Sequence, residues 1–330
     1  MRLCILGAGA WGTAFGVALA PYHQISLWAR DPAQCRDMAA DRINARYLPD
    51  VMIPERVRIT PHMQSAIEGS ELIVVAVPTS SLRQTLKLVA STMSTAGVVW
   101  LCKGFESGTA KFPHKVAEEE LPPAQPRAVL SGPSFASEVA RGLPAAVTLA
   151  SDDPKFAAMA SRELHTGRFR VYSSDDVIGV ETGGAVKNVI AIAAGVCDGL
   201  ELGASARAAL ITRGLAEVTR LGIRLGGRFE TFIGLAGAGD LMLTATSDLS
   251  RNRRVGLQLA QGQPLSAILA HLGHVAEGVY TAREVLRLSE QLGVDMPITA
   301  AVTQLLDGTA SARDVVDGLL QRGPKQESVR

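Results

Sequence analysis

Leu3-Cys-Ile-Leu6, Gly7-Ala-Gly9-Ala-Trp-Gly12 and Thr13-Ala-Phe-Gly-Val-Ala-Leu-Ala20 follow one another at the start of the chain. The first piece is an apolar run of strand length, the second sets three glycines in turn spacing, and the third favours helix. In such a βα unit the first glycine allows a tight turn, the second lets a pyrophosphate approach the backbone, and the third lets helix and strand pack closely. The phosphates then meet a helix N-terminus, where free N–H groups and the macrodipole favour an anion. Gly7, Gly9 and Gly12 are therefore candidate dinucleotide-binding residues. A ligand-free glycine turn has the same spacing, but the position of this one between strand and helix favours binding.

The next apolar run, His23 to Ala29, reads as the second strand and ends in Arg30-Asp31. This lies roughly 20 residues beyond the glycines, where an acidic side chain takes the 2′-OH of NAD and an arginine the 2′-phosphate of NADP. Arg30 comes first, so NADP(H) is the preferred cofactor and NAD(H) a possible one.

A chain of 330 residues is long for one core and implies two domains. Its 47% hydrophobic and 20% charged composition is that of a globular protein, and a net charge of +1 provides no basic field for nucleic acid or an acidic membrane surface. Arg2 followed by apolar residues and Ala18-Leu-Ala20 resembles a signal peptide superficially, but the glycine turn fits a Rossmann start better. Cys4, Cys35, Cys102 and Cys197 show no paired spacing and read as buried free thiols of a reducing compartment. The longest apolar run, Val189 to Cys197, is far short of the roughly 18 residues that span a bilayer. The expectation is a soluble, cytoplasmic protein with no integral membrane segment and no metal site.

Further strands are expected at Val57–Thr60, Leu72–Pro78, Val98–Cys102, Ala128–Ser131, Ala146–Ala150 and Phe169–Tyr172, with a helix at Pro154–Leu164 and a loop through Pro54. Their carboxyl ends deliver Pro78-Thr79, Lys103-Gly104 and Gly132-Pro-Ser134, the positions at which doubly wound sheets bind ligands. Beyond Val177 strand signals stop and alanine- and leucine-rich helical spacing takes over. The expected division is residues 1–178 as an NAD(P)-binding Rossmann domain with a mostly parallel sheet, 179–323 as an all-helical substrate domain, and 324–330 as a disordered tail.

Lys187 interrupts the almost wholly apolar stretch Ala185 to Ala194 and follows Gly183-Gly184. Each glycine weakens a helix by about 1 kcal/mol relative to alanine, which points to close approach of a backbone or ligand. A lysine so placed loses hydration and its pKa falls, which suits a general acid and base near neutral pH. The alternative is a lysine that snorkels to solvent. Further on, Gly237-Ala-Gly-Asp240 precedes Ser250-Arg-Asn-Arg-Arg254. Serine is a good helix N-cap, and a basic first turn is electrostatically unfavourable unless an anion occupies it, as a substrate phosphate would.

With these motifs in hand the chain resembles the NAD(P)-dependent glycerol-3-phosphate dehydrogenases of bacterial type over nearly its whole length. The matching blocks are Gly7 to Thr13, Cys102-Lys-Gly-Phe-Glu106, Leu130 to Ala136, Lys187-Asn188, Gly237 to Asp240 and Ser250-Arg-Asn252. The resemblance implies an all-helical second domain like the C-terminal domain of 6-phosphogluconate dehydrogenase. It also implies reversible reduction of dihydroxyacetone phosphate to sn-glycerol 3-phosphate, the phospholipid backbone precursor. Apart from the resemblance, the alanine-rich helices of the second half suit pairing across a homodimer, the commonest oligomer. The resemblance makes Lys187 the proton donor and acceptor, and Lys103, Gly132, Ser134, Lys187, Asp240, Ser250, Arg251 and Asn252 the substrate-holding residues. Ala10, Trp11, Arg30, Lys103, Ala136, Arg251, Val275 and Glu277 would join the glycines at the cofactor, with Ala10 standing where relatives often carry serine. The rivals are a related two-domain reductase of a carboxylate substrate, ketopantoate or a hydroxy acid, and a non-catalytic NAD(P)H sensor. Fold alone does not separate them.

Overall fold

The computed structural model describes residues 1–272 and 276–323; the expected tail from 324 and the candidate Val275 lie outside the described residues. The chain divides into two compact units, Met1–Cys102 with Pro113–Val177, and Lys103–Phe112 with the chain from Ile178 onward.

The first unit runs β1 (Arg2–Leu6), α1 (Ala10–Leu19), β2 (Gln24–Trp28), α2 (Pro32–Asp41), β3 (Ile43–Asn44), β4 (Leu48–Met52), β5 (Val57–Thr60), α3 (Met63–Ile67) and β6 (Leu72–Val75). It continues with α4 (Thr79–Ser91), β7 (Gly97–Trp100), α5 (Pro113–Glu120), β8 (Arg127–Ser131), α6 (Ala136–Ala140), β9 (Ala145–Ala150), α7 (Pro154–Leu164) and β10 (Phe169–Ser174). Eight strands form one sheet in the order β10-β9-β8-β7-β6-β1-β2-β5. All neighbours are parallel except β8 and β9. β1 and β6 are fully buried apart from Arg2, as strands covered on both faces must be, which explains their unbroken apolar sequences. The strand order reverses at β1, between β2 and β6, so the glycine turn leaves the sheet at its topological switch point.

The expected loop before Pro54 instead contains the small antiparallel pair β3 and β4. Asn44 of this hairpin is buried and donates to the Ala8 carbonyl at 3.0 Å and to Thr13 Oγ1 at 2.7 Å, while Gln34 Nε2 donates to the same carbonyl at 2.8 Å. The glycine turn is thus held by polar side chains from two later segments. Period-2 alternation is absent from this short, bulged pairing, so sequence pattern did not reveal it.

The second unit runs α8 (Val177–Gly199), α9 (Ala204–Arg224), α10 (Phe229–Ile233), a π-helical turn (Leu235–Gly239), α11 (Asp240–Thr246), α12 (Arg251–Ala260), α13 (Leu265–Leu272), α14 (Glu277–Leu292), α15 (Pro297–Leu306) and α16 (Ala312–Leu320). α8 is long and apolar enough to cross a membrane by length and composition, but 89% of its apolar window is buried inside the protein, which makes it the central core helix. The one boundary expected at 178 needs correction, because Lys103–Phe112 belongs to this unit. Phe105 and Phe112 meet at 4.6 Å between ring centres, tilted by 45°, and belong to the same buried apolar cluster as Val186, Val189 and Ile190 of α8, which groups the segment with the helical unit. All four cysteines are free and buried.

Candidate functional site

In the α/β unit the glycines divide their labour. Gly7 has φ +115°, and a Cβ there would sit 2.6 Å from the Ala76 carbonyl oxygen; a Cβ on Gly12 would sit 1.9 Å from the Gly7 carbonyl oxygen. Both are demanded by the chain's own packing. A Cβ on Gly9 would meet nothing within 4 Å, and Gly9 caps α1 without any side-chain bond to the first-turn N–H groups. Space and donors are therefore left for an anion at the start of α1, and these residues fit a dinucleotide pyrophosphate. Ala10 opens α1, and Trp11 beside it packs its ring against Phe15 at 5.9 Å and Phe169 at 6.4 Å.

At the end of β2, Asp31 spends a carboxylate oxygen on capping α2, accepting from the Ala33 N–H at 2.9 Å. Arg30 is exposed and makes no hydrogen bond or ion pair among the described residues. The arginine is the side chain of this pair left available to a ligand, which favours a 2′-phosphate. In the same unit Gly132 takes φ +147° with Val147 pressed against it, Ser134 Oγ donates to the Gly132 carbonyl at 3.0 Å, and Ala136 begins α6.

The helical unit gathers the charged candidates. Asp240 is 1% exposed and bridges two lysines: Lys187 Nζ donates to Oδ1 at 2.5 Å and Lys103 Nζ to Oδ2 at 2.6 Å. Lys187 does not snorkel. It is buried, and Thr244 Oγ1 takes a second hydrogen bond from it at 2.7 Å while donating to the Asp240 carbonyl at 2.7 Å. Burial pulls the Lys187 pKa down from 10.5 to about 7; the Asp240 carboxylate opposes this, and the Lys103 ammonium adds to it. Asp240 is aimed by the π-helical turn immediately before it, which is squeezed so tightly that a Cβ on Gly237 would lie 2.1 Å from the Phe232 carbonyl oxygen. A Cβ on Gly183 would lie 2.5 Å from the Ala236 carbonyl oxygen, so the glycine preceding Lys187 admits that same turn.

Ser250 caps α12 as its sequence position predicts, accepting from the Arg253 N–H at 3.2 Å. Arg251 in the first turn is accessible to solvent, yet the protein packed around it pulls its pKa down by desolvation, which the Glu277 carboxylate opposes and the Arg254 charge reinforces. Asn252 is buried and already committed on two sides: Nδ2 donates to Asn188 Oδ1 at 2.9 Å, and Oδ1 accepts from the Gly278 N–H at 3.1 Å. Glu277 Oε2 in turn accepts from the Lys103 N–H at 3.3 Å. The unit therefore brings Lys103, Lys187, Asp240 and Glu277 into one polar network and joins Asn188, next to Lys187, to the Arg251-Asn252 turn. Sequence reading missed Thr244 and the tie made by Asn188. Thr244 was recoverable, because it stands four residues after Asp240 and so shares its helix face.

A dinucleotide-type α/β unit joined to a helical unit with a buried lysine–aspartate–lysine cluster defines the chain as a two-domain dehydrogenase. The sequence profile of the NAD-dependent glycerol-3-phosphate dehydrogenase N-terminus matches residues 2–157 and that of the C-terminus residues 176–317. The chain belongs to this family. It is 57% identical to the glycerol-3-phosphate dehydrogenase [NAD(P)+] of Nitrosospira multiformis and 54% to that of Dechloromonas aromatica, in each case over 99% of both chains. Among solved structures, glycerol-3-phosphate dehydrogenase from Coxiella burnetii superimposes with a TM-score of 0.93 at 41% identity, covering 97% of this chain and 99% of that one. A ketopantoate reductase from Ralstonia eutropha, at 17% identity and a TM-score of 0.60 over 97% of this chain and all of its own, shares the fold alone.

Proposed function

We propose that the protein catalyses the reversible NAD(P)H-dependent reduction of dihydroxyacetone phosphate to sn-glycerol 3-phosphate, the backbone precursor of glycerophospholipids. The observation that carries this reading is the buried lysine with its pKa near 7, hydrogen-bonded to Asp240 and Thr244 in a chain whose relatives bear the name of this enzyme. Gly7, Gly9 and Gly12 would hold the pyrophosphate of NADPH and Arg30 its adenosine 2′-phosphate, and the bound cofactor would supply a hydride for C2 of the ketone. Lys187 gives its proton to the alkoxide oxygen that forms, and takes it back in the reverse direction. Asp240 keeps the ammonium in place, and Lys103 adds positive charge beside the developing oxyanion. Arg251, at the start of α12 with the cap Ser250 and with Asn252, takes the phosphate. Gly132 and Ser134 complete the substrate contacts, and Ala136, Trp11 and Glu277 the cofactor contacts. A carboxylate reductase has no use for a phosphate grip, and an NAD(P)H sensor has no use for a poised lysine.

Four buried free cysteines support a cytoplasmic setting. A homodimer belongs to the same reading. Its support is an apolar groove of about 790 Å³ between α8, α9, α15 and α16, with Leu202 and Leu320 exposed at its mouth. Light scattering of the wild type against Leu320→Glu tests it.

The catalytic test follows NADPH and NADH absorbance on mixing the protein with dihydroxyacetone phosphate, with dihydroxyacetone as control. Oxidation that requires the phosphate is expected; none with either nucleotide, in protein that binds them, overturns the assignment.

A further inference from the structure

The first turn of α12 carries Arg251, Arg253 and Arg254 with no acidic residue among them, an arrangement the helix dipole disfavours. Arg251 and Arg253 point to different fates. Arg251 is exposed, whereas Arg253 is buried at 8% exposure and fully engaged. Its Nε and Nη2 donate to Asp198 Oδ2 at 2.8 and 2.6 Å, and its Nη1 donates to Asp248 Oδ1 at 2.6 Å. Asp198 lies in the last turn of α8 and is itself steadied by Arg207 Nη1 at 3.0 Å from the first turn of α9. Asp248 lies just before the Ser250 cap.

Two consecutive residues thus tie the start of α12 to α8 at two separate points. Asn252 reaches Asn188, next to Lys187, and Arg253 reaches Asp198, ten residues and about 15 Å further along the same helix. Between the ties the helices touch backbone to backbone: a Cβ on Gly195 would fall 2.0 Å from the Arg253 carbonyl oxygen, and one on Gly256 would fall 2.0 Å from that of Ile192. One tie alone would leave α12 free to pivot; two, with no side-chain cushion between, fix both its rotation and its register.

We propose that Arg253 is a positioning residue for substrate: with Asp198 and Asp248 it holds the first turn of α12 so that Arg251 presents its guanidinium at a fixed spacing from Lys187. This rests on the reading above that Arg251 takes the phosphate and Lys187 the proton. The planar fork matters as much as the charge, since three guanidinium nitrogens are used and an ammonium cannot span both carboxylates. Binding energy from the phosphate, remote from the reacting carbon, serves catalysis only if grip and acid are held at the right separation.

A double-mutant cycle tests the proposal in the full-length enzyme, with NADPH oxidation by dihydroxyacetone phosphate as the readout. In the wild-type background Arg253→Met is expected to lower kcat/KM about 30-fold, chiefly through KM for the phosphorylated ketone, with KM for NADPH within about twofold and Arg253→Lys only partly restored. In an Arg251→Ala background the same substitution is expected to cost less than about threefold, because the group it positions is gone. Equal factors in both backgrounds, or a KM within about twofold of wild type, overturn the proposal and leave Arg253 a stability pin. Should Arg253→Met not fold, Asp198→Asn in the same cycle decides on the same criteria. A wild type inert toward dihydroxyacetone phosphate sinks the assigned function itself, an outcome distinct from an active wild type with an additive cycle.

Discussion

Replacing Lys187 with methionine removes a charge that the folded protein holds at a cost. The gap between 10.5 and about 7 corresponds to about 5 kcal/mol, at about 1.4 kcal/mol per tenfold change in proton affinity. Because the folded-state value is depressed, the contribution of the neutral amine is fully present above 10.5 and is lost as pH falls to 7, below which the ammonium bears the whole cost. Wild type should therefore gain on Lys187→Met as pH rises through this window, by about 1.4 kcal/mol per pH unit at most. Urea denaturation of both proteins at about pH 7, 8 and 9 gives the difference, in which titrating groups outside the Lys103–Asp240–Lys187 cluster cancel. If Lys187 is the proposed acid and base, the same proton sets turnover: oxidation of glycerol 3-phosphate needs the free amine and should rise through pH 7, whereas ketone reduction needs the ammonium and should fall, and the variant should lose both. A stability difference that stays constant over this range, together with parallel pH profiles for the two directions, would refute the claim that burial poises Lys187.

The remaining predictions concern groups outside that cluster. Glu217 of α9 is 1% exposed and accepts the Ile298 and Thr299 N–H groups at the start of α15. Burial pushes its pKa from 4.5 up to about 7, so its favourable contribution is present below 4.5 and lost as pH rises through 7; Glu217→Gln should flatten this dependence, worth up to about 3 kcal/mol, in thermal melts across the range. Gly12→Ala drives a Cβ into the Gly7 carbonyl and should cost about 2 kcal/mol or more in urea titrations. Gly9→Ala, with open space around it, should stay within about 0.5 kcal/mol of wild type yet weaken NADPH binding about tenfold by fluorescence titration. Arg30→Ala should shift the ratio of kcat/KM for NADPH over NADH about tenfold toward NADH, and an unchanged ratio would remove Arg30 from the 2′-phosphate.

Much of this was legible before any coordinates, and for identifiable reasons. β6 and β7 announce themselves because strands buried on both faces must be apolar throughout, and α7 spans the expected Pro154–Leu164, opened by the Asp153 cap and Pro154. Lys187 stood out because a charge inside an apolar helix needs a partner, although the sequence could not name that partner: Asp240 and Lys103 lie 53 and 137 residues apart from their respective bonds' other ends. The β3–β4 hairpin was invisible because strands of two and five residues, with the register shifting between Ile43 and Asn44, carry no periodic pattern. The Arg253–Asp198 clamp was invisible for another reason: the sequence presents a run of basic residues, and only folding sorts which guanidinium is buried and which is left for solvent.

The segment Lys103–Phe112 has a consequence for how this protein can be divided. The sequence profiles meet between residues 157 and 176, which invites treating the two parts as interchangeable cassettes. Yet the helical unit borrows ten residues from upstream of that seam. A fragment begun at Ile178 would lack Phe105 and Phe112 from its core and would leave Asp240, a buried carboxylate, with one lysine in place of two. A cut at the seam would therefore strip the helical unit of Lys103 and of two core phenylalanines, so dissecting the protein there separates groups that fold together.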